Sequence, residues 1–126
     1  MILGSWSLES FEIEDPQGNR RPWGAQLSGL LIYAPTGHMS ASINKEVEQD
    51  LSQSETENLF DAILFYAGTY SIEGSLIKHQ VAQASNPSRI GRELLRYAKL
   101  EGDLLSLSTP VESFGQAHLV WRRIRQ

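Results

Sequence analysis

The chain has no cysteine, and that absence excludes disulfides, thiolate nucleophiles and cysteine-based metal sites together. It also lacks any run of about 18 apolar residues, so no membrane-spanning helix is expected. The opening stretch MILGSWSLES has neither a basic n-region nor a long apolar h-region, so it does not read as a signal peptide. A cytoplasmic setting is the expectation that fits these features. Positive charge is short as well. The 11 Lys and Arg against 15 Asp and Glu leave a net charge of −4, which argues against nucleic acid as the main partner. Basic residues do cluster in RELLRYAK and VWRRIR, but they alternate there with large apolar side chains, as on a strand with one solvated face.

Several kinds of chemistry are missing too. The only histidines are His38, His79 and His118, and no two of them sit at a metal-ligand spacing. No metal site and no cofactor are therefore expected. SIEGS and LEGD read as hairpin turns rather than phosphate loops, and neither GSW nor LSLSTP has the strand–turn–helix setting of a serine nucleophile.

What is present is strand periodicity. At 126 residues, 40% hydrophobic and 21% charged, residues 1–126 suit one domain with a real core. Short period-two segments dominate, broken by turn signals at intervals of about ten residues. The first runs from Ser5 to Asp15 and stops at DPQGN. The second is a hairpin, GLLIYAPTGHMSASI. Its Ala-Pro-Thr-Gly-His suits a type I turn with Gly37 in the left-handed conformation, which sets Tyr33 opposite Met39 and Leu31 opposite Ala41. One segment differs: SETENLFDAILFYAG places Ser54 and Glu57 at capping-box spacing, repeats Leu59, Phe60, Ile63 and Leu64 at helical spacing, and offers Gly68 as a stop. The expectation is an all-β antiparallel up-and-down barrel of about eight strands, closed because closure removes exposed edges, with one amphipathic helix between strands.

The chain also resembles the lipocalin-like domain family, small bacterial and fungal barrels related to the calycins. GSWSLESFEIED is similar to the family's opening strand, LLIYAPTGHMS to its hairpin, FYAGTYSIEG to its helix exit and following strand, and LEGDLLSLSTP with HLVWRRI to its last hairpin and closing strand. One corner departs. Where the family often shows Pro-Asn-Trp-x-Gly and then Gln two residues before Arg, this chain reads PSRIG, with Arg89 at the Trp position, Leu94 at the Gln position and Arg96 retained. The resemblance implies a barrel with a small internal cavity, closed at its floor by Trp6 with Arg123 stacked on it, and it does not imply one activity.

Alternation sorts the candidate residues by face. If Trp6 points inward, so do Leu8, Ser10 and Glu12 on the same strand. His79 lies with Ile77 and Val81, and Arg96 with Leu94, Ala98 and Leu100. Glu12, His79 and Arg96 are thus the expected polar constellation of the interior, suited to pairing and to proton transfer. Leu31, Tyr33, Met39, Ala41, Tyr70, Ile72 and Trp121 are the expected ligand-binding wall, with Ala41 leaving volume. The leading functional expectation is binding of a small, mainly hydrophobic molecule. The alternatives are an isomerase or cyclase acting on a polyketide-like or terpenoid-like biosynthetic intermediate, and a protein–protein module with a solid barrel that forms a homodimer.

Overall fold

Alternation of apolar and polar residues carries through to the backbone. The structure, a computed structural model, describes residues 1–45, 63–113 and 115–125, which form one antiparallel sheet of nine strands. In chain order these are β1 (Gly4–Glu14), β2 (Arg20–Pro22), β3 (Ser28–Tyr33), β4 (His38–Asn44), β5 (Ile63–Glu73), β6 (Leu76–Ala84), β7 (Glu93–Glu101), β8 (Leu104–Ser108) and β9 (Gln116–Arg123). From β3 to β9 every strand pairs with its successor. β1 then pairs along one edge with β9 and along the other with β3 and the short β2, which closes the sheet into the expected eight-stranded barrel. Among the described residues no helix is long and apolar enough to cross a membrane.

The expected helix requires a correction. Residues 46–62 lie outside the described residues, and so does the proposed cap at Ser54 and Glu57. The second part of the segment, ILFYAG, is not helical but opens β5. Its helical spacing coexists with a period of two, since Leu64, Tyr66, Gly68 and Tyr70 all fall on one face, and pairing with β4 and β6 selects the latter. Gly68 does not end a helix. It sits in mid-strand at a β-bulge, where an added Cβ would lie 1.8 Å from the carbonyl oxygen of Gln80, so the position accepts no side chain. The helical turn among the described residues is the 3-10 segment Pro87–Arg89, capped by the Asn86 side chain, which accepts from the Ser88 amide at 3.1 Å.

Antiparallel order gives the barrel two distinct ends. One end gathers the turns between β3 and β4, β5 and β6, and β7 and β8, together with the start of β1 and the end of β9. The first of these turns matches expectation: Gly37 has φ +88°, its amide donates to Ala34 at 3.1 Å, and Tyr33 faces Met39 while Leu31 faces Ala41. His38 is exposed there. Trp6, fully buried, plugs this end, with its indole N–H donating to the Ile2 carbonyl at 2.9 Å. Arg123 lies 4.3 Å above its ring and donates to the carbonyls of Leu3 and Met1 at 2.9 and 2.7 Å. This is the floor that the resemblance implied. The opposite end carries the longer loops, including residues 85–92 and 109–113.

Inward-facing Leu31, Ile43, Ile77, Leu105, Leu107 and Trp121 are buried along the strands between these ends. Burying each such aliphatic side chain contributes about 1.5–3 kcal/mol relative to exposure. Of these, Leu31, Ile43, Leu107 and Trp121 surround a space rather than filling it.

Candidate functional site

That space is a cavity of about 580 Å³ that reaches from the middle of the barrel to the long-loop end. Its apolar wall comes from Phe11, Leu31, Ala41, Ile43, Leu107 and Trp121, and residues of the loop end, Trp23, Arg89 and Arg92 among them, also line it. Ala41 does what its size suggests, since its short side chain leaves room between Leu31 and Tyr66 on the neighbouring strands.

On one side of the wall, β3, β5, β6 and β7 assemble a polar cluster. His79, 1% exposed, sits between two tyrosines: its Nε2 is 2.6 Å from the Tyr33 hydroxyl and its Nδ1 is 2.7 Å from the Tyr66 hydroxyl. Burial, with the Arg96 charge adding to it, lowers the His79 pKa from 6.5 to about 3, so the imidazole is neutral. Burial also raises both phenols, Tyr33 well above its ordinary value, while the nearby Arg96 and Arg89 oppose this at Tyr66. Arg96 is half-buried and donates to the carbonyl of its neighbour Leu95 at 2.8 Å. Arg89 is partly buried as well; burial lowers its pKa, as does repulsion from Arg96 and Arg92.

Glu12 does not join this cluster. β1 carries a bulge between Leu8 and Ser10, where Leu8 pairs with Trp121 and Ser10 with Val120, so Glu9 is an extra residue. The extra residue reverses the faces beyond it. Trp6 and Leu8 point inward, then Phe11 and Ile13 do, and Glu12 turns outward, 3.9 Å from Arg20. Of the expected constellation, the structure brings His79 and Arg96 together and leaves Glu12 outside.

The expected wall divides similarly. Leu31, Ala41 and Trp121 line the cavity. Tyr33 and Met39 are buried below it, toward the sealed end, and Tyr33 reaches the site through His79. Tyr70 packs edge-on against Tyr33, at 4.8 Å between ring centres, and its hydroxyl donates to Ala34. Ile72 lies at the hairpin end of β5, half exposed, and is not part of the wall. His118 is partly buried on the outer face, between the Ser108 hydroxyl at 2.9 Å and Glu14 at 3.2 Å. The three side chains have the residue types of a hydrolytic triad. They stand on a sheet whose amides are committed to the β8–β9 and β1–β9 ladders, so those strands offer them no oxyanion donors.

A family model described as a lipocalin-like domain matches residues 3–124. The chain belongs to this family. No curated protein matches it in sequence. Among solved structures, a redesigned β-barrel shares the fold at a TM-score of 0.52 and 8% identity, over 98% of this chain and 92% of its own. Fatty-acid-binding protein 1 of Echinococcus granulosus is 14% identical, with a TM-score of 0.47 over 98% of both chains. A variant of the fluorescent protein UnaG is 10% identical, with a TM-score of 0.47 over 99% of this chain and 97% of its own.

In this lipocalin-like barrel the residues that reasoning from sequence passed over are Tyr66, Phe11 and Trp23. Tyr66 lay hidden in the supposed helix, and reading LFYAGTY at period two would have found it. Phe11 was assigned outward by the same unbroken alternation that sent Glu12 inward. Trp23 stacks on Phe11 at 4.9 Å beside the cavity, a contact that joins β1 to the loop after β2 and has no local sequence signal.

Proposed function

We propose that this lipocalin-like barrel binds one small, mainly apolar molecule in the cavity between its sealed floor and its long-loop end. The observation that carries this is the cavity itself. Its volume of about 580 Å³ falls within the range of roughly 300–1,000 Å³ usual for small-molecule sites. An apolar wall with a few placed polar groups is also the usual composition of such sites. A barrel acting only as a protein–protein module has no use for this space, which small residues such as Ala41 keep open.

Binding is favoured over isomerase or cyclase chemistry by the state of the polar cluster. Glu12 is outside, and both nitrogens of His79 are occupied by tyrosine hydroxyls, so neither is a free base. Native mass spectrometry of the purified protein tests the reading, together with titration of an apolar fluorescent probe against the protein and its Ala41→Phe variant. A co-purifying molecule, or probe binding that the added ring weakens by tenfold or more, supports it. Probe binding that is absent, or indifferent to filling the cavity, overturns it.

A further inference from the structure

The hydrogen-bond arithmetic of the Tyr33–His79–Tyr66 row specifies the occupant further; this rests on the cavity-binding reading. A neutral imidazole donates from one ring nitrogen and accepts at the other. Both tyrosines keep their protons, so three protons are available for the two hydrogen bonds of the row, and one hydroxyl proton is left over. Tyr33 is buried below the cavity and has no other hydrogen-bond partner among the described residues, whereas Tyr66 lines the cavity. If Tyr33 donates to Nε2 and Nδ1–H donates to the Tyr66 oxygen, the spare proton sits on Tyr66 and faces a space that a ligand can fill. The reverse order strands that proton on Tyr33, at the cost of a buried unsatisfied donor.

The other polar fittings of the cavity also donate. Arg96 can use at most a fraction of its five N–H groups on the Leu95 carbonyl. The Trp121 indole N–H is buried without a partner among the described residues. None of the ion pairs among the described residues includes Arg89, Arg92 or Arg96. The two carboxylates on the lining, Glu93 and Glu112, are exposed. The acceptors Asn86 and Thr109 on the lining are already engaged with backbone amides. Among the described residues the interior therefore offers hydrogen-bond donors and positive charge with no buried carboxylate to match them, and its complement is an oxygen anion.

We propose that the ligand is an apolar molecule bearing a carboxylate, held by Arg96 and the Tyr66 hydroxyl with Arg89 beside them, its apolar body against Phe11, Leu31, Ile43 and Trp121. The site would read the acid by its two oxygens, because a planar guanidinium beside a fixed hydroxyl can donate to both. The His79 bridge fixes the Tyr66 hydroxyl, so His79 acts as a positioning residue.

The test is displacement of the uncharged dye N-phenyl-1-naphthylamine by decanoate and by decan-1-ol, at neutral pH, read as the ratio of the two affinities. Decanoate is expected to bind at least about tenfold more tightly than decanol, as for hydrogen bonds to a charged group. The ratio is expected to fall toward one in Arg96→Gln and partway in Tyr66→Phe. Equal displacement by the two probes, or a preference that survives both substitutions, overturns the carboxylate while leaving cavity binding intact. A dye that does not bind at all overturns the cavity reading first, and this inference with it. Should Arg96→Gln fail to fold, Tyr66→Phe and Arg89→Gln decide the matter by the same ratio.

Discussion

At the sealed end Arg123 lies over the Trp6 ring and donates to the carbonyls of Met1 and Leu3, whereas in the chamber Arg96 donates to the carbonyl of its neighbour Leu95 and lies beside the Tyr66 hydroxyl. The two residues are the same cation in the same barrel, two strands apart in chain order. One has its charge spread over an aromatic face and its donors spent on backbone oxygens. The other faces a second arginine, two phenols and a neutral imidazole. A packed end satisfies its own polar groups and gains stability from them. A binding chamber leaves donors unspent, because its stability is completed by what enters it.

This contrast can be broken by mutation, and the largest effect belongs to the sealed end. Trp6→Ala removes a fully buried indole and leaves Arg123 without its platform, at an expected cost of about 3–5 kcal/mol in chemical denaturation. A loss well below that would mean the floor is not a packed unit. Acid should act next, and at the chamber. His79 has its pKa lowered from 6.5 to about 3, so between those values the unfolded chain binds more protons than the fold. Its contribution to stability is complete above the unfolded value and is lost as pH falls toward the folded one, by up to about 1.4 kcal/mol per pH unit. Urea midpoints measured across this range should slope with pH in the parent protein and flatten in His79→Gln.

Smaller effects sharpen the comparison of the two arginines. Arg123→Met should cost about 1–2 kcal/mol through the lost stacking and backbone hydrogen bonds, visible as a lower Tm. The same change at Arg96 should shift stability by less than about 0.5 kcal/mol, since it removes few protein contacts and relieves repulsion with Arg89. Equal losses at the two positions would erase the distinction between a structural arginine and one kept for a ligand.

The barrel, its closing strands, the Gly37 hairpin with its register and the Trp6–Arg123 floor were legible in the sequence, because local alternation and turn chemistry determine them. The inward facing of His79, Arg96, Leu31, Ala41 and Trp121 follows from the same alternation. Failures occurred where a local pattern was ambiguous or interrupted. Leu64 to Gly68 satisfied both a helical and a strand period, and only pairing with β4 and β6 chose between them. Gly68 looked like a helix stop, although its role is to let β5 and β6 backbones approach at a bulge. Glu12 was misassigned because one inserted residue at Glu9 has no signature in the alternation before it. The Tyr33–His79–Tyr66 row is non-local: its members are separated by 46 and 13 positions, and the fold alone brings them into line.

The bulge in β1 has an electrostatic consequence. With unbroken alternation, Glu12 and Glu14 would both have pointed into the chamber, toward Arg96 and Arg89. Two carboxylates there would neutralise the guanidinium groups and turn away any acid. By adding one residue, β1 keeps its acidic row on the outside, where Glu14 meets Arg20 and His118. The interior of an acidic protein is thereby left electropositive. A single unit of strand length sets the sign of the potential that a ligand meets.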